Sequence, residues 1–204
     1  MSRPALLALH WQNDVLHPDG KIRVGLAQDD PARAQLIANS RSLLAAARAR
    51  EWFVVQVRIA FRPDYADMPM SMPIFQRTAA LGAVKDGEWG SAFYEELAPA
   101  ASAREFALTH NRISAFYGTG LEPLLHHLGV RELYVCGVAT HSVVESSVRD
   151  AADRGFSVTV IEDACAAADP QAHRAALSSM SLIARVLPVA QLLGQAGKDS
   201  GGLQ

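Results

Sequence analysis

Two histidines each follow a short apolar run in the sequence. His10 comes directly after the run Ala5–Leu9, and His110 follows the weaker run Glu105–Thr109. Short apolar runs are typical of strands that are buried on both faces, so both histidines are predicted to end strands. Because imidazole has an unperturbed pKa of about 6.5, either ring can take or release a proton at neutral pH. Both residues are therefore candidates for acid/base catalysis.

A second candidate segment combines a strand, a tight turn and a helix. Residues 132–136 form an apolar run that leads into Gly137 and small residues. Val144, Val148 and Ala151 then recur at helical spacing. A turn of this kind aims backbone N–H groups and the positive end of a helix dipole at one point. In a parallel sheet that point lies in the ligand crevice at the carboxyl ends of the strands.

The composition excludes several classes of partner. The 204 residues carry 19 Lys and Arg against 21 Asp and Glu, with no basic block, so neither a nucleic acid nor a membrane surface is an expected partner. No secretory leader and no apolar run approaching about 18 residues are found, and the expected location is cytoplasmic. The expected partner is a small molecule. Because no glycine-rich phosphate fingerprint is present, no cofactor is expected.

Alternating strand and helix patterns predict an α/β fold, a three-layer α/β/α sandwich with a central, mostly parallel six-stranded sheet. Residues 1–196 are expected to form a single domain, and residues 197–204 a flexible C-terminal tail. The predicted strands are Ala5–Leu9, Trp52–Arg58, Glu105–Thr109, Leu133–Cys136, Ser157–Ile161 and Leu182–Leu187. The principal predicted helices are residues 31–50, 74–81, 121–128, 144–154 and 171–180, with a terminal helical turn at 189–193.

One long irregular segment, residues 61–90, is rich in Pro and Met. Long loops in compact domains are usually lids or binding loops, so its aromatic residues Phe61 and Trp89 are candidates to line a substrate pocket. The alternative, an ordinary packing role for each aromatic ring, stays open because sequence alone does not separate the two.

Four segments carry a resemblance to a known family. They are Leu9–Asp14 (LHWQND), Asp86–Gly90 (DGEWG), His110–Thr119 (HNRISAFYGT) and Gly137–Thr140 (GVAT). The chain resembles the isochorismatase-like superfamily of cysteine hydrolases, which includes nicotinamidases and N-carbamoylsarcosine amidohydrolases. The resemblance implies the same α/β fold and a homodimer or homotetramer. It also implies that the three catalytic positions converge on one substrate.

This sequence departs from the family pattern at all three catalytic positions. The family's Asp, Lys and Cys correspond to His10, His110 and Val143. The matching residues on both sides leave no gap, so Val143 and not Ser142 stands at the nucleophile position. A valine has no lone pair with which to attack a carbonyl, so the covalent route of the family is closed at this position.

The altered positions favour non-covalent acid/base chemistry by His10 and His110 on a small carbonyl, amide or vinyl-ether substrate. Isochorismatase-type enzymes of phenazine pathways resemble this in lacking the Cys and cleaving a vinyl ether, but they keep the Asp and the Lys. Ala139, His141 and Ser142 are predicted to form the substrate or oxyanion pocket at the turn. Ser142 as a nucleophile is disfavoured by its register, and it is predicted to cap the following helix instead.

Two further interpretations are metal binding and the loss of catalytic activity. His10 and His110, with or without His141, are candidate metal ligands, but their spacing matches no ligand motif and no metal site is predicted. The main alternative to catalysis is an inactive family member that acts as a small-molecule binding protein or as a structural oligomeric protein.

Overall fold

The structure is a computed structural model that describes residues 3–23 and 30–195. Its centre is a sheet of six strands, all parallel, in the order β3-β2-β1-β4-β5-β6. The strands are β1 Ala5–Leu9, β2 Phe53–Ile59, β3 Glu105–His110, β4 Glu132–Val138, β5 Ser157–Ala166 and β6 Arg185–Leu187. The predicted six-stranded α/β architecture is confirmed. The predicted flexible tail, residues 197–204, lies outside the described residues.

Helices flank the sheet in the layered arrangement that the alternating pattern predicts. They are α1 Asn13–Leu16, α2 Pro31–Ala49, α3 Pro73–Ala80, α4 Leu121–His127, α5 Glu145–Asp153, α6 Pro170–Met180 and α7 Val189–Gln195. The start of α2 follows from local chemistry, because the Asp30 side chain accepts a hydrogen bond from the Ala32 N–H and Pro31 occupies the first helical position. None of the helices in the described ranges is long and apolar enough to cross a membrane.

Three elements differ from the sequence prediction. The segment after β1, for which no helix was predicted, contains the short helix α1. This helix is buried because its polar side chains have partners: the Asn13 side chain donates to the Trp89 carbonyl and Asp14 accepts from the Val84 N–H. Strand β5 extends to Ala166, since a shift in its register with β4 lets pairing resume beyond Ile161. Strand β6 is shorter than predicted because Leu182 lies exposed before it.

The centre of the sheet brings β1 into close contact with β4. All five residues of β1 are buried, as expected for a strand covered on both faces. Gly137 lies opposite Leu9 and has a φ of +136°, and a Cβ at this position would clash with the Leu9 carbonyl oxygen. Only a glycine fits this approach. It places the residue after Leu9, which is His10, beside the turn that follows β4.

Candidate active site

His10 and His110 meet at the carboxyl edge of the sheet. His110 is the last residue of β3, and His10 follows β1 with a φ of +60°, a region that few non-glycine residues adopt. Their rings reach each other across the end of β2, with 2.6 Å between the two Nε2 atoms. Both residues are buried, at 8% and 3% exposure. The structure therefore brings the two predicted catalytic residues into direct contact.

The hydrogen-bond partners of the two rings restrict where the protons lie. The Ser114 carbonyl lies 3.3 Å from His110 Nδ1, and because a carbonyl only accepts, this nitrogen is the favoured donor. By the same argument the Val138 backbone carbonyl favours a donor on His10. Two neutral rings carry two N–H protons, whereas the Nε2–Nε2 contact and the two carbonyls would take three. The neutral pair is therefore one proton short of satisfying all its partners.

Both imidazoles are held in the neutral form at physiological pH. Burial lowers the pKa of His110 to about 4, although its hydrogen bond to the Ser114 backbone opposes the shift. Burial and then the neighbouring His110 hold the pKa of His10 well below its usual value, opposed by a hydrogen bond to the Val138 backbone. A buried ring with a lowered pKa at a cavity is typical of a functional site.

A mostly apolar cavity of about 130 Å³ lies beside His10. An engineered cavity of about 150 Å³ accepts benzene, so this one has room for a group the size of a single ring. Its polar residues are His10, Thr78, Arg112, His141 and Ser142. The apolar wall comprises Val15, Ile22, Ile59, Ile74, Phe75, Val84, Ile113, Val138 and Val143, with Ala139 beside them.

The turn after β4 supplies one side of this cavity. Residues Thr140–Val144 form a π-helical turn before α5, and the Val138–Ala139 peptide bond is cis. The predicted cap by Ser142 is wrong: Val144 occupies the N-cap position of α5, and no side chain caps the helix there. A π-helical turn moves the start of the regular helix past Ser142, which lies on the cavity wall instead.

Val143, which the family resemblance aligns with the nucleophile, lies on the same wall. Val143 is 1% exposed and presents only hydrocarbon to the cavity. The two cysteines of the chain offer no replacement, because burial raises the pKa of the Cys136 thiol well above its usual value and that of Cys165 to about 12. The described residues therefore provide no thiolate for covalent catalysis.

The two predicted pocket aromatics lie away from this cavity. Phe61 is buried against Phe75 and lines a separate, polar pocket of about 370 Å³ together with His110. Trp89 is 53% exposed and packs edge-on against His17. Of the predicted pocket residues, the structure thus places Ala139, His141 and Ser142 on the cavity wall, and Phe61 and Trp89 elsewhere.

Two contributors to the site escaped the sequence analysis. Phe75 lies on α3, and its ring forms part of the cavity floor. Arg112 lies two residues after His110 within the segment that carries the family resemblance, and this proximity was the available signal. The helix position of Phe75 indicated only ordinary packing, so nothing in the sequence separated it from core.

The geometry does not suit a metal ion held by the histidine pair. Zinc binds imidazole nitrogen at about 2.0–2.1 Å, and tetrahedral angles then separate two ligand nitrogens by about 3.3 Å. The two Nε2 atoms at 2.6 Å are too close for this and instead share a proton. In the described part of the chain no group of three or more His, Cys, Asp or Glu residues is arranged to hold an ion.

Comparisons with known proteins agree with this architecture. Residues 4–191 match the isochorismatase domain family. The chain is 32% identical to the uncharacterized isochorismatase family protein YecD of Escherichia coli O157:H7, over 80% of this chain and 85% of the relative. It is 30% identical to the ureidoacrylate amidohydrolase RutB of Enterobacter sp. (strain 638), over 85% and 80% respectively.

Solved structures of other proteins superimpose on the fold of this chain. The crystal structure of an isochorismatase family protein from Desulfovibrio vulgaris subsp. vulgaris str. Hildenborough superimposes with a TM-score of 0.82, at 26% identity, covering 97% of this chain and 100% of that one. A nicotinamidase/pyrazinamidase from Bacillus subtilis superimposes with a TM-score of 0.77, covering 91% and 99%. At 24% identity, the second similarity concerns the fold alone.

Proposed function

The chain belongs to the isochorismatase family, and we propose that it acts on a small carbonyl, amide or vinyl-ether substrate by non-covalent acid/base catalysis through His10 and His110. The observation that carries this proposal is the 2.6 Å contact between the two buried imidazoles, one of which lies on the wall of a ring-sized cavity. The name of one relative, an amidohydrolase, supports an amide as the first substrate class to test.

The proton inventory of the pair gives His10 the role of general base, because its ring is the one on the cavity wall. The pair accepts a proton from a water molecule, whose oxygen attacks the substrate carbonyl. With this third proton, the contact between the two Nε2 atoms and the carbonyls of Val138 and Ser114 all have a donor. Return of a proton to the leaving group, as its bond to the carbonyl carbon breaks, restores the neutral pair.

His110 acts as a positioning residue in this scheme. Its 2.6 Å contact with His10 Nε2 fixes the orientation of the His10 ring. This is the base-and-orienter arrangement of known catalytic sites, with imidazole in place of a carboxylate. No covalent intermediate forms, in agreement with the valine at position 143.

The test is turnover of a panel of small amides, esters and vinyl ethers, followed by NMR of the products. General acid/base catalysis contributes about 10²- to 10⁴-fold, so His10→Ala is expected to lower kcat/KM by about that factor. His110→Ala should lower kcat/KM by a smaller factor, and His110→Gln should restore part of it by accepting the same hydrogen bond. His127→Ala is the matched control, because His127 is exposed on α4. Unchanged turnover in both the His10 and the His110 variants would refute acid/base catalysis.

One observation favours a second candidate, ligand binding without turnover. Each histidine ring already has two partners within the protein: His10 has His110 and the Val138 backbone, and His110 has His10 and the Ser114 carbonyl. A ring whose nitrogens both have partners within the protein can also act simply as a rigid part of the wall of a ligand-binding cavity. In that case His10→Ala folds normally and changes affinity modestly, and the panel gives no product with any variant.

A further inference from the structure

Arg112 lies on the wall of the apolar cavity without a carboxylate partner among the described residues. Its Nη1 donates to two backbone carbonyls, those of Asp67 at 3.2 Å and Asn111 at 2.8 Å. Neither Nε nor Nη2 of Arg112 makes a hydrogen bond within residues 3–23 and 30–195. The guanidinium is thus held in place at one nitrogen and free to donate at the other two.

Arg112 forms no ion pair with the acidic side chains of the described residues. On α5, Glu145 accepts from Arg149 and Asp150 accepts from Arg154, both at 2.8 Å. The Asp67 carboxylate accepts from two neutral donors, the backbone N–H of Arg62 and the Asn111 side chain, and Arg112 contacts only the carbonyl of that residue. Within the described ranges, no carboxylate therefore occupies Nε or Nη2 of Arg112.

Arg112 lies between two open spaces. Together with Ile113 it lines both the apolar cavity and an outer groove of about 550 Å³, whose wall includes Tyr117 and Arg149. A charged group at this junction meets the ligand's outer end, while the apolar lining receives its inner end. His141 and Ser142 add hydrogen-bonding side chains on the same cavity wall.

We infer that the cavity selects a small carboxylate-bearing molecule with an apolar body about the size of one ring, and that Arg112 is the specificity-determining residue that binds the carboxylate. The inference rests on the proposed function in taking this cavity as the substrate site. A guanidinium matches the planar carboxylate with two parallel N–H donors, and Nε and Nη2 form such a pair. The cavity lining excludes a second charged group on the ligand, because a buried unpaired charge is costly.

Benzoate and benzamide are suitable probes because they have nearly the same shape and differ in charge. Binding is measured by calorimetry and by NMR titration of the full chain, in low and in high salt. Wild-type protein is expected to bind benzoate about tenfold to a hundredfold more tightly than benzamide, because one hydrogen bond to a charged group is worth that factor. The preference should shrink as salt rises, since Arg112 is partly exposed at the mouth.

Substitutions at Arg112 then assign the effect. Arg112→Gln removes both the charge and the paired donors, and it is expected to lower benzoate affinity to about that of benzamide, which abolishes the preference. Arg112→Lys keeps the charge without the planar fork and should retain part of the preference. Arg149→Gln is the matched control on the outer groove, because that arginine is already paired with Glu145.

The outcomes separate this inference from the proposed catalysis, since none of these measurements needs turnover. Equal affinity of wild-type protein for the two probes, failure to bind either of them, or unchanged benzoate binding in Arg112→Gln would each overturn the inference, even if His10-dependent turnover is found. Arg112-dependent benzoate binding supports it even if no substrate is ever converted.

Discussion

The two sides of the candidate site, as the family resemblance assigns them, differ from the expected residues in opposite ways. His10 and His110, at the ends of β1 and β3, contact each other at 2.6 Å and are of a type that transfers protons. Val143, at the turn after β4, is buried and has no reactive atom. A site with two imidazoles and no nucleophile at this turn favours the proposed non-covalent chemistry.

The largest expected effect concerns the contact that joins the two sides. Gly137→Ala places a Cβ against the Leu9 carbonyl in a backbone conformation that also disfavours alanine, so unfolding free energy should fall by more than about 3 kcal/mol. Gly129→Ala is the control, because Gly129 has a φ of +69° but no atom within 4 Å of the added Cβ. It should cost about 1–2 kcal/mol. Equal losses in urea unfolding would show that close approach of β1 and β4 is unimportant.

The second prediction concerns the histidine side alone. The pKa of His110 is depressed to about 4 in the folded protein, so its contribution to stability is present above the unfolded pKa of 6.5 and is lost as pH falls toward 4. Between pH 7.5 and about pH 5 this amounts to about 2 kcal/mol. Wild-type protein should therefore lose about 2 kcal/mol more than His110→Gln over this range in urea unfolding. Equal losses would contradict the buried, neutral state of His110, and His127→Ala should behave as wild type.

The third prediction concerns the turn. The native protein should resist thiol reagents, because Cys136 and Cys165 are buried with raised thiol pKa values. Val143→Cys should add one reactive thiol that faces the cavity, at a stability cost of about 1 kcal/mol. Val144→Cys is the matched control, since Val144 is equally buried but does not line the cavity. If thiol reagents label the two variants at the same rate, position 143 does not face the cavity.

The placement of the two histidines could be predicted from the sequence, but their direct contact could not. Apolar runs and strand ends placed His10 and His110 at one edge of a sheet once the family resemblance was added, and the strand order agrees. Their direct contact was not predictable, because it depends on the left-handed φ of His10 and on ring orientations that no local pattern encodes. Arg112 escaped notice for a related reason, since its missing ion pair is a property of the surrounding elements.

The turn was harder to predict. Val143, predicted from register to stand at the nucleophile position, lies on the cavity wall. Ser142 was expected to cap a helix that begins later, after a π-helical turn. The role of Trp89 was also not predictable. Its position in a long loop indicated that it lines a pocket, but its side chain packs against His17 at the surface. Side-chain direction in irregular segments is set by tertiary contacts, and sequence periodicity does not report it.

The most direct measurement of the histidine pair is NMR of the imidazole nitrogens in protein labelled with nitrogen-15, followed through a pH titration. We expect a scalar coupling between the Nε2 atoms of His10 and His110 across their hydrogen bond at pH 7, and neutral rings until well below pH 6.5. Two uncoupled imidazoles that each titrate near 6.5 would contradict a hydrogen-bonded, buried pair and, with it, the proposed base.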